Sequence, residues 1–292
     1  MESASGFRGR AGEAGSFGVA RERWLDGLGN VRNVVRQEII TRQLGHHLPG
    51  RPGRVLDVGA GQGTQSLRLA RAGHRVVAVE PDPDMRARLR VALHDEPAEV
   101  RERVTVAAGS VGDLGSAIPD AAIPAGGYDA VLCLGVLMYL PASRAAITEL
   151  ASYVAPGGLL CLAVRTPVSA VWRPAARQDW PAALAALQER ASALTQGREM
   201  RYLNEIGAPA RTDDIDTLAE VAAESGLELV RWYGVRVAVD LAETDPPAPA
   251  DPGQLAALLD VEERLGATDP YRQLAQLAHL ILRRPGDVEG WS

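Results

Sequence analysis

Residues 54–64, Arg-Val-Leu-Asp-Val-Gly-Ala-Gly-Gln-Gly-Thr, constrain this chain more than any other stretch. Val55, Leu56 and Val58 form a short apolar run of the kind carried by a strand buried on both faces. Gly59, Gly61 and Gly63 break the run, and a helical pattern follows through Leu67, Leu69 and Ala70. A strand that passes through glycines into a helix brings backbone N–H groups and a helix N-terminus close to a ligand. Asp57 stands just before the glycines, where a carboxylate can hold the turn or accept bonds from a ligand amine.

The glycine spacing separates two kinds of cofactor. A dinucleotide site calls for G-x-G-x-x-G, the last glycine letting the helix press against the strand. Here the spacing is G-x-G-x-G, and Thr64 occupies the position of that last glycine. A second strand, residues 75–79, ends in Glu80, placed after the glycines as an acceptor for ribose hydroxyls should be. Asp57, the three glycines and Glu80 together resemble motif I and its successor in class I S-adenosylmethionine-dependent methyltransferases. That resemblance implies S-adenosylmethionine as cofactor, with Asp57, Gly59, Gly61, Gly63 and Glu80 around it.

Composition fills in the rest. The 292 residues are 46% hydrophobic, enough for one large α/β domain. No apolar run reaches the length of a membrane span. Residues 1–16 are mainly Gly, Ser, Ala and Arg with no apolar h-region, so a disordered arm and a cytoplasmic location are expected. All 31 basic side chains are arginines, yet the net charge is −6, which disfavours polyanion binding by the chain as a whole. Cys133 and Cys161 fall in expected strands and read as buried apolar residues. No Cys/His pair has ligand spacing, so no metal site is expected. His74 reads as a turn residue.

Taken in order, residues 17–50 read as a helical cover, with Arg32 and Arg36 one turn apart and Arg32 the candidate for the cofactor's carboxylate. Strands are expected at 54–58, 75–79, 104–107, 130–134 and 159–164, with helices at 63–72, 83–94 and 142–154 between them. Gly109 and Ser110 follow the third strand, where an acid commonly holds the adenine amino group; Asp113 is a second candidate. Residues 134–139, ending in Tyr139, lie past the fourth strand and should face cofactor or acceptor. Residues 166–210 break the rhythm and read as a helical insertion, suited to a substrate lid. A helix at 212–225, a long strand at 227–241, a helix at 253–265 and an antiparallel strand at 277–283 would complete the fold. That fold is α/β, a doubly wound, seven-stranded Rossmann-like sheet spanning 51–285, with a tail at 286–292. Arg236 sits in the long strand, opposite in face to Val235, Val237 and Val239. It would need Asp240, Glu262 or a ligand anion as partner.

The flanks carry a closer resemblance. Gly29-Asn-Val-Arg32, Tyr233-Gly-Val-Arg236 followed by Asp240, and Leu258-Leu-x-x-Glu262 with Asp269-Pro-Tyr271 and His279 resemble the bacterial tRNA 5-carboxymethoxyuridine methyltransferase family. By position, that resemblance places Arg32, Gly59, Ala60, Glu80, Gly109, Ser110 and Leu134 along the cofactor site. It also implies a carboxylate on a modified wobble uridine as methyl acceptor. Leu134 replaces that family's histidine and Ser110 its aspartate. Tyr139, Arg236 and Tyr271 are the candidates for acceptor contact, and no residue stands out as a catalytic base. A small-metabolite acceptor, or a non-catalytic S-adenosylmethionine-binding protein, are the alternatives.

Overall fold

A computed structural model describes residues 22–242 and 244–286. The expected arm at 1–16 and nearly all of the expected tail lie outside the described residues. After a short helical stretch at 22–26 come helix α1 (Val31–Gly45) and strand β1 (Arg54–Val58). Helix α2 (Thr64–Arg71), β2 (Arg75–Val79), α3 (Pro83–His94), β3 (Val104–Ala107), β4 (Tyr128–Leu134), α4 (Ser143–Ser152) and β5 (Val154–Val164) follow. The insertion holds α5 (Pro167–Ala176), α6 (Trp180–Thr195) and a hairpin of β6 (Arg201–Leu203) and β7 (Pro209–Arg211). Then come α7 (Ile215–Glu224), β8 (Glu228–Val235), α8 (Pro252–Ala267) and β9 (Leu277–Arg283).

Seven strands form one sheet in the order β3-β2-β1-β4-β5-β9-β8. β1 to β5 pair in parallel, whereas β9 runs antiparallel to both β5 and β8. This is the seven-stranded Rossmann-like sheet expected from the sequence. Side chains alternate faces along each strand, so every strand supplies two cores. Leu56, Val58, Val131, Cys133, Leu160 and Leu162 pack with Ile147 and Leu150 of α4 and Leu218 and Val221 of α7. Val55, Ala130, Leu132, Leu159 and Cys161 pack on the other face with Val35, Ile39 and Leu44 of α1 and Leu259 of α8. Both cysteines are thus buried core residues with free thiols, and burial pushes their pKa up. His74 is a turn residue whose Nδ1 accepts from the Gly53 N–H at 3.0 Å.

Local signals explain several boundaries. Asp82 caps α3 by accepting from Asp84 and Met85 N–H groups, with Pro83 at the first helical position. Asp251 and Pro252 do the same for α8. Asp214 caps α7 by accepting from Asp216 and Thr217 N–H groups.

Three expectations need correction. The insertion is not wholly helical, because β6 and β7 pair across residues 201–211. Pro156-Gly157-Gly158 lies within β5 rather than before it, and the pairing register shifts between Tyr128 and Ala130. Most consequentially, no single strand runs from 227 to 241. β8 stops at Val235, Arg236 takes a left-handed conformation at φ 64°, and Val239–Leu241 form a 3-10 turn. The valine alternation that suggested a strand continues through a reversal of the backbone. Val235, Val237 and Val239 are all buried, but so is Arg236.

Candidate functional site

The strand order reverses between β1 and β4, so the crevice outside their carboxyl ends is the expected ligand position. The β1–α2 turn occupies it. Gly59 N–H and Ala60 N–H both donate to Val79 O, at 2.8 and 3.1 Å, tying the turn to the end of β2. Gly59, Gly61 and Gly63 all have positive φ, at 75°, 59° and 88°. A Cβ on Gly63 would lie 2.0 Å from Leu89 Cδ1, and one on Gly59 2.3 Å from Val136 Cγ2, so both glycines are demanded by packing as well as by torsion. Gly61 differs, because a Cβ there would meet nothing within 4 Å. Its backbone faces open space, as a close approach to a ligand requires.

Glu80 is 6% exposed. Its Oε2 accepts from Gly61 N–H at 2.8 Å and its Oε1 from Asp82 N–H at 2.9 Å. Burial raises its pKa, and the two N–H donors pull it back toward the charged form. Carboxylate oxygens each accept more than one bond, so Glu80 retains capacity for two vicinal hydroxyls. Asp57 is 3% exposed, accepts from Ser66 Oγ at 2.5 Å, and is pushed up to about 6 by burial, with the Ser66 bond opposing. The folded pKa lies above the ordinary 3.8, so the stability Asp57 contributes is whole below 3.8 and is lost as the pH rises through about 6. Asp57→Asn keeps an oxygen for Ser66 and removes the charge. The cofactor-free variant should match wild type near pH 4 and exceed it near pH 7.5 by about 2–3 kcal/mol in urea unfolding. A gap that does not change with pH would refute this account of Asp57.

Past β3, Gly109 leaves no room for a side chain, since a Cβ would sit 2.2 Å from Ala117 Cβ. Ser110 N–H donates to Asp113 Oδ1 at 2.7 Å, so Asp113 closes its own turn, with Oδ1 taken by the backbone. Leu134 ends β4, and its carbonyl accepts from Arg36 Nη2 at 3.2 Å.

Arg32 does not reach the glycine turn. Its Nη2 donates to Ala242 O at 2.6 Å and Thr244 O at 3.0 Å, and its Nε lies 3.4 Å from Asp240 Oδ1. Its partners are some 210 residues away in sequence, which no local pattern announces. Arg36, one turn later, is the arginine at the ligand edge of the sheet. Its Cζ stacks 4.7 Å from the Trp24 ring, and its Nη2 would be 2.8 Å from a Cβ on Gly135. Burial lowers its pKa to about 10. Trp24 in turn donates to Gln62 Oε1 in the glycine turn at 3.4 Å, linking Arg36 to that turn.

On the acceptor side, Tyr139 is positioned by the 3-10 turn Leu137–Tyr139, and its hydroxyl accepts from Asn204 Nδ2 at 2.9 Å. Burial raises its pKa. Arg211 pins the hairpin beneath it by donating to Leu137 O, Leu140 O, Ser143 and Asp213. Arg236, expected to face an acidic acceptor, is instead clasped by two carboxylates. It contacts Asp240 at 2.6 and 2.7 Å and Glu205 at 2.8 and 3.0 Å. Glu205, at the tip of the hairpin, also pairs with Arg173 at 2.9 Å. Tyr271 is 50% exposed on the turn before β9, and among the described residues its side chain makes no hydrogen bond or ring contact with this group.

Sequence reasoning missed Arg165, Tyr202 and Glu205. Arg165 follows the last residue of β5, is 5% exposed, and places its guanidinium 4.6 Å from the Tyr202 ring. A charged residue directly after a buried strand was the one available signal.

The methyltransferase-domain model matches residues 30–231, which is more than half of the chain. The chain belongs to the methyltransferase-domain family. Curated relatives include ubiquinone biosynthesis O-methyltransferases of Xanthomonas campestris pv. campestris and Xanthomonas axonopodis pv. citri, each 34% identical over 164 residues. Those alignments cover 54% of this chain and 63% of each relative, so the chain spans less than two thirds of their length. Among solved structures, an S-adenosylmethionine-dependent methyltransferase from Mesorhizobium loti superposes with TM-score 0.51 at 15% identity, covering 84% of this chain and 98% of that one. The 1,6-didemethyltoxoflavin-N1-methyltransferase of Burkholderia thailandensis gives TM-score 0.51 at 17% identity, covering 97% and 93%. These neighbours bear out the methyltransferase fold. The named relatives are ubiquinone-biosynthesis enzymes, not members of the tRNA family that the flanks resemble, so the tRNA acceptor is set aside.

Proposed function

We propose that this chain is an S-adenosylmethionine-dependent methyltransferase that modifies an oxygen of a small-molecule acceptor. The observation that carries the reading is the open backbone at Gly61, held by buried Glu80 at the point where the sheet reverses order. The relatives' names, ubiquinone biosynthesis O-methyltransferase, support oxygen as the atom and a small molecule as the acceptor.

In this reading Glu80 accepts the ribose hydroxyls, the turn at Gly59, Ala60 and Gly61 contributes backbone groups, and Asp57 accepts from the amine. Gly63 starts α2 and sets the direction of the helix. Gly109, Ser110 and Leu134 border the adenine and the methyl donor. Arg36 replaces Arg32 as the partner of the cofactor's carboxylate. Bound there, the cofactor supplies an electrophilic methyl group on a sulfonium. The protein's part is chiefly placement and exclusion of water, with Tyr139 and the Asn204 hairpin orienting the acceptor above the end of β4. Among the described residues no helix is long and apolar enough to cross a membrane.

Calorimetry on the full chain tests this. S-adenosylhomocysteine should bind and NAD should not; comparable affinity for NAD would sink the cofactor assignment. Glu80→Ala should weaken S-adenosylhomocysteine by about 1–3 kcal/mol, the scale of a lost charge-assisted bond. An unchanged dissociation constant would reduce Glu80 to a residue that braces the turn.

A further inference from the structure

Four of the arginines behind the acceptor position are anchored. Arg236 and Arg173 share Glu205 and Asp240, Arg177 donates to Asp240 O at 3.0 Å, and Arg32 holds the 240–245 segment. Arg165 is the exception. It is 5% exposed, yet among the described residues its guanidinium has no hydrogen bond and no ion pair, only the face of Tyr202 at 4.6 Å. Its Nε is buried without a partner. A cation withdrawn from water without a hydrogen-bonded partner is costly, and a ring face together with the through-space pull of Glu205 offsets only part of the loss.

The surroundings point to what would complete it. Arg165 is two residues past Ala163, whose carbonyl accepts from Gly135 N–H at 2.9 Å at the end of β4. It therefore lies on the ligand edge of the sheet, beside the turn that carries Tyr139. Its backbone is fixed, because Arg165 O accepts from Asp213 N–H at 2.8 Å and Asp213 bonds Arg211 and Ser143. Tyr202 is fixed from below by its hydroxyl's contact with Met138 Sδ at 3.8 Å. The guanidinium is held ready, not loosely packed. Nearby, the same chemistry is already seen completed: Glu205 meets Arg236 with two parallel bonds, which shows that this cluster accommodates a planar carboxylate.

We propose that Arg165 and Tyr202 form an anion subsite that receives a carboxylate of the acceptor, the guanidinium taking the oxygens and the Tyr202 ring stacking behind it. The subsite rests on the methyltransferase reading for its purpose, but not for its existence. It restricts acceptors to acids and fixes the end of the acceptor remote from the reacting oxygen. Arg165 is thus a specificity-determining residue.

The test compares wild type with Arg165→Met and Arg165→Lys on the full chain, using acetate as probe. Acetate at about ten times its dissociation constant should raise the wild-type Tm by about 2–4 °C over equal chloride, and acetamide should not. Arg165→Met should lose the acetate shift while melting no lower than wild type, because it removes a buried cation that no hydrogen bond satisfies. Arg165→Lys should keep a smaller shift. An equal shift with acetamide, an acetate shift that survives in Arg165→Met, or a marked fall in that variant's Tm would each overturn the subsite. A shift with inorganic phosphate alone would overturn the carboxylate assignment. S-adenosylhomocysteine binding, measured on the same samples, should be equal in all three proteins. Its absence from wild type would overturn the cofactor reading while the acetate result stood on its own.

Discussion

Arg236→Met should cost about 3–5 kcal/mol of folding stability, the range for breaking a buried ion pair by removing one partner. The side chain is 4% exposed and is gripped by two carboxylates, which raise its pKa. In return, the guanidinium groups of Arg236, Arg173 and Arg165 outweigh desolvation at Glu205 and hold its carboxyl well below the usual range. Removing Arg236 leaves Glu205 and Asp240 with the ion pairs of Arg173, Arg177 and Arg32 and, through space, the charge of Arg165 to share between them. Urea unfolding with unchanged m reports the loss directly. Arg236→Lys should fall between the two, since a single ammonium cannot present parallel bonds to both acids. Cofactor affinity should remain near wild type. If instead Arg236→Met keeps its stability, the paired carboxylates do not need it, and Arg236 returns as a candidate for the acceptor's anion. The contrast with Arg165→Met is informative, because two arginines from one cluster should respond in opposite ways: one is anchored by hydrogen bonds, the other has none among the described residues.

The difference between these arginines marks where sequence reading succeeds and where it stops. The glycine turn was legible because its causes are local. Gly59, Gly61 and Gly63 need positive φ, and Glu80 reaches Gly61 across only 19 residues. Strands β1, β2, β3 and β9 were legible to the residue, because each is a short apolar run with a turn at its end. What failed was decided by distant partners. Arg32 and Arg36 are equivalent in sequence, and only the 240–245 segment and the end of β4 distinguish them. Arg165 gave only one weak signal, a charge directly after a buried strand, because a site made by the end of β5 and the β6–β7 hairpin has no sequence spacing. Past Val235, valine alternation supported a strand, and Glu262, 25 residues away, overrode it.

Glu262 carries the second large effect. It is fully buried, at 0% exposure, on α8, and it pairs with no arginine among the described residues. Its Oε2 accepts from Val237 N–H at 2.7 Å, and its Oε1 from Ala238 and Val239 N–H at 2.9 and 2.8 Å. Three consecutive amides turned toward one carboxylate make a nest, which is what lets the chain leave β8 and reverse at Arg236 without orphaned donors. Burial raises the pKa of Glu262, and the three donors oppose that shift in part. Glu262→Ala would leave those donors without an acceptor at roughly 1–3 kcal/mol each, for a total of about 3–9 kcal/mol. Glu262→Gln has one acceptor oxygen for three donors and should cost less than the alanine change but remain clearly destabilising. Hydrogen exchange separates this from general weakening of α8. In Glu262→Gln the amides of Val237, Ala238 and Val239 should lose protection before those of β8 and β9 do. Uniform loss across α8 and both strands would assign Glu262 to helix packing instead. Since Arg236 follows directly from β8, the same variant should loosen the clasp on Glu205 and free the β6–β7 hairpin, while the glycine turn at the other side of the switch point keeps its cofactor affinity.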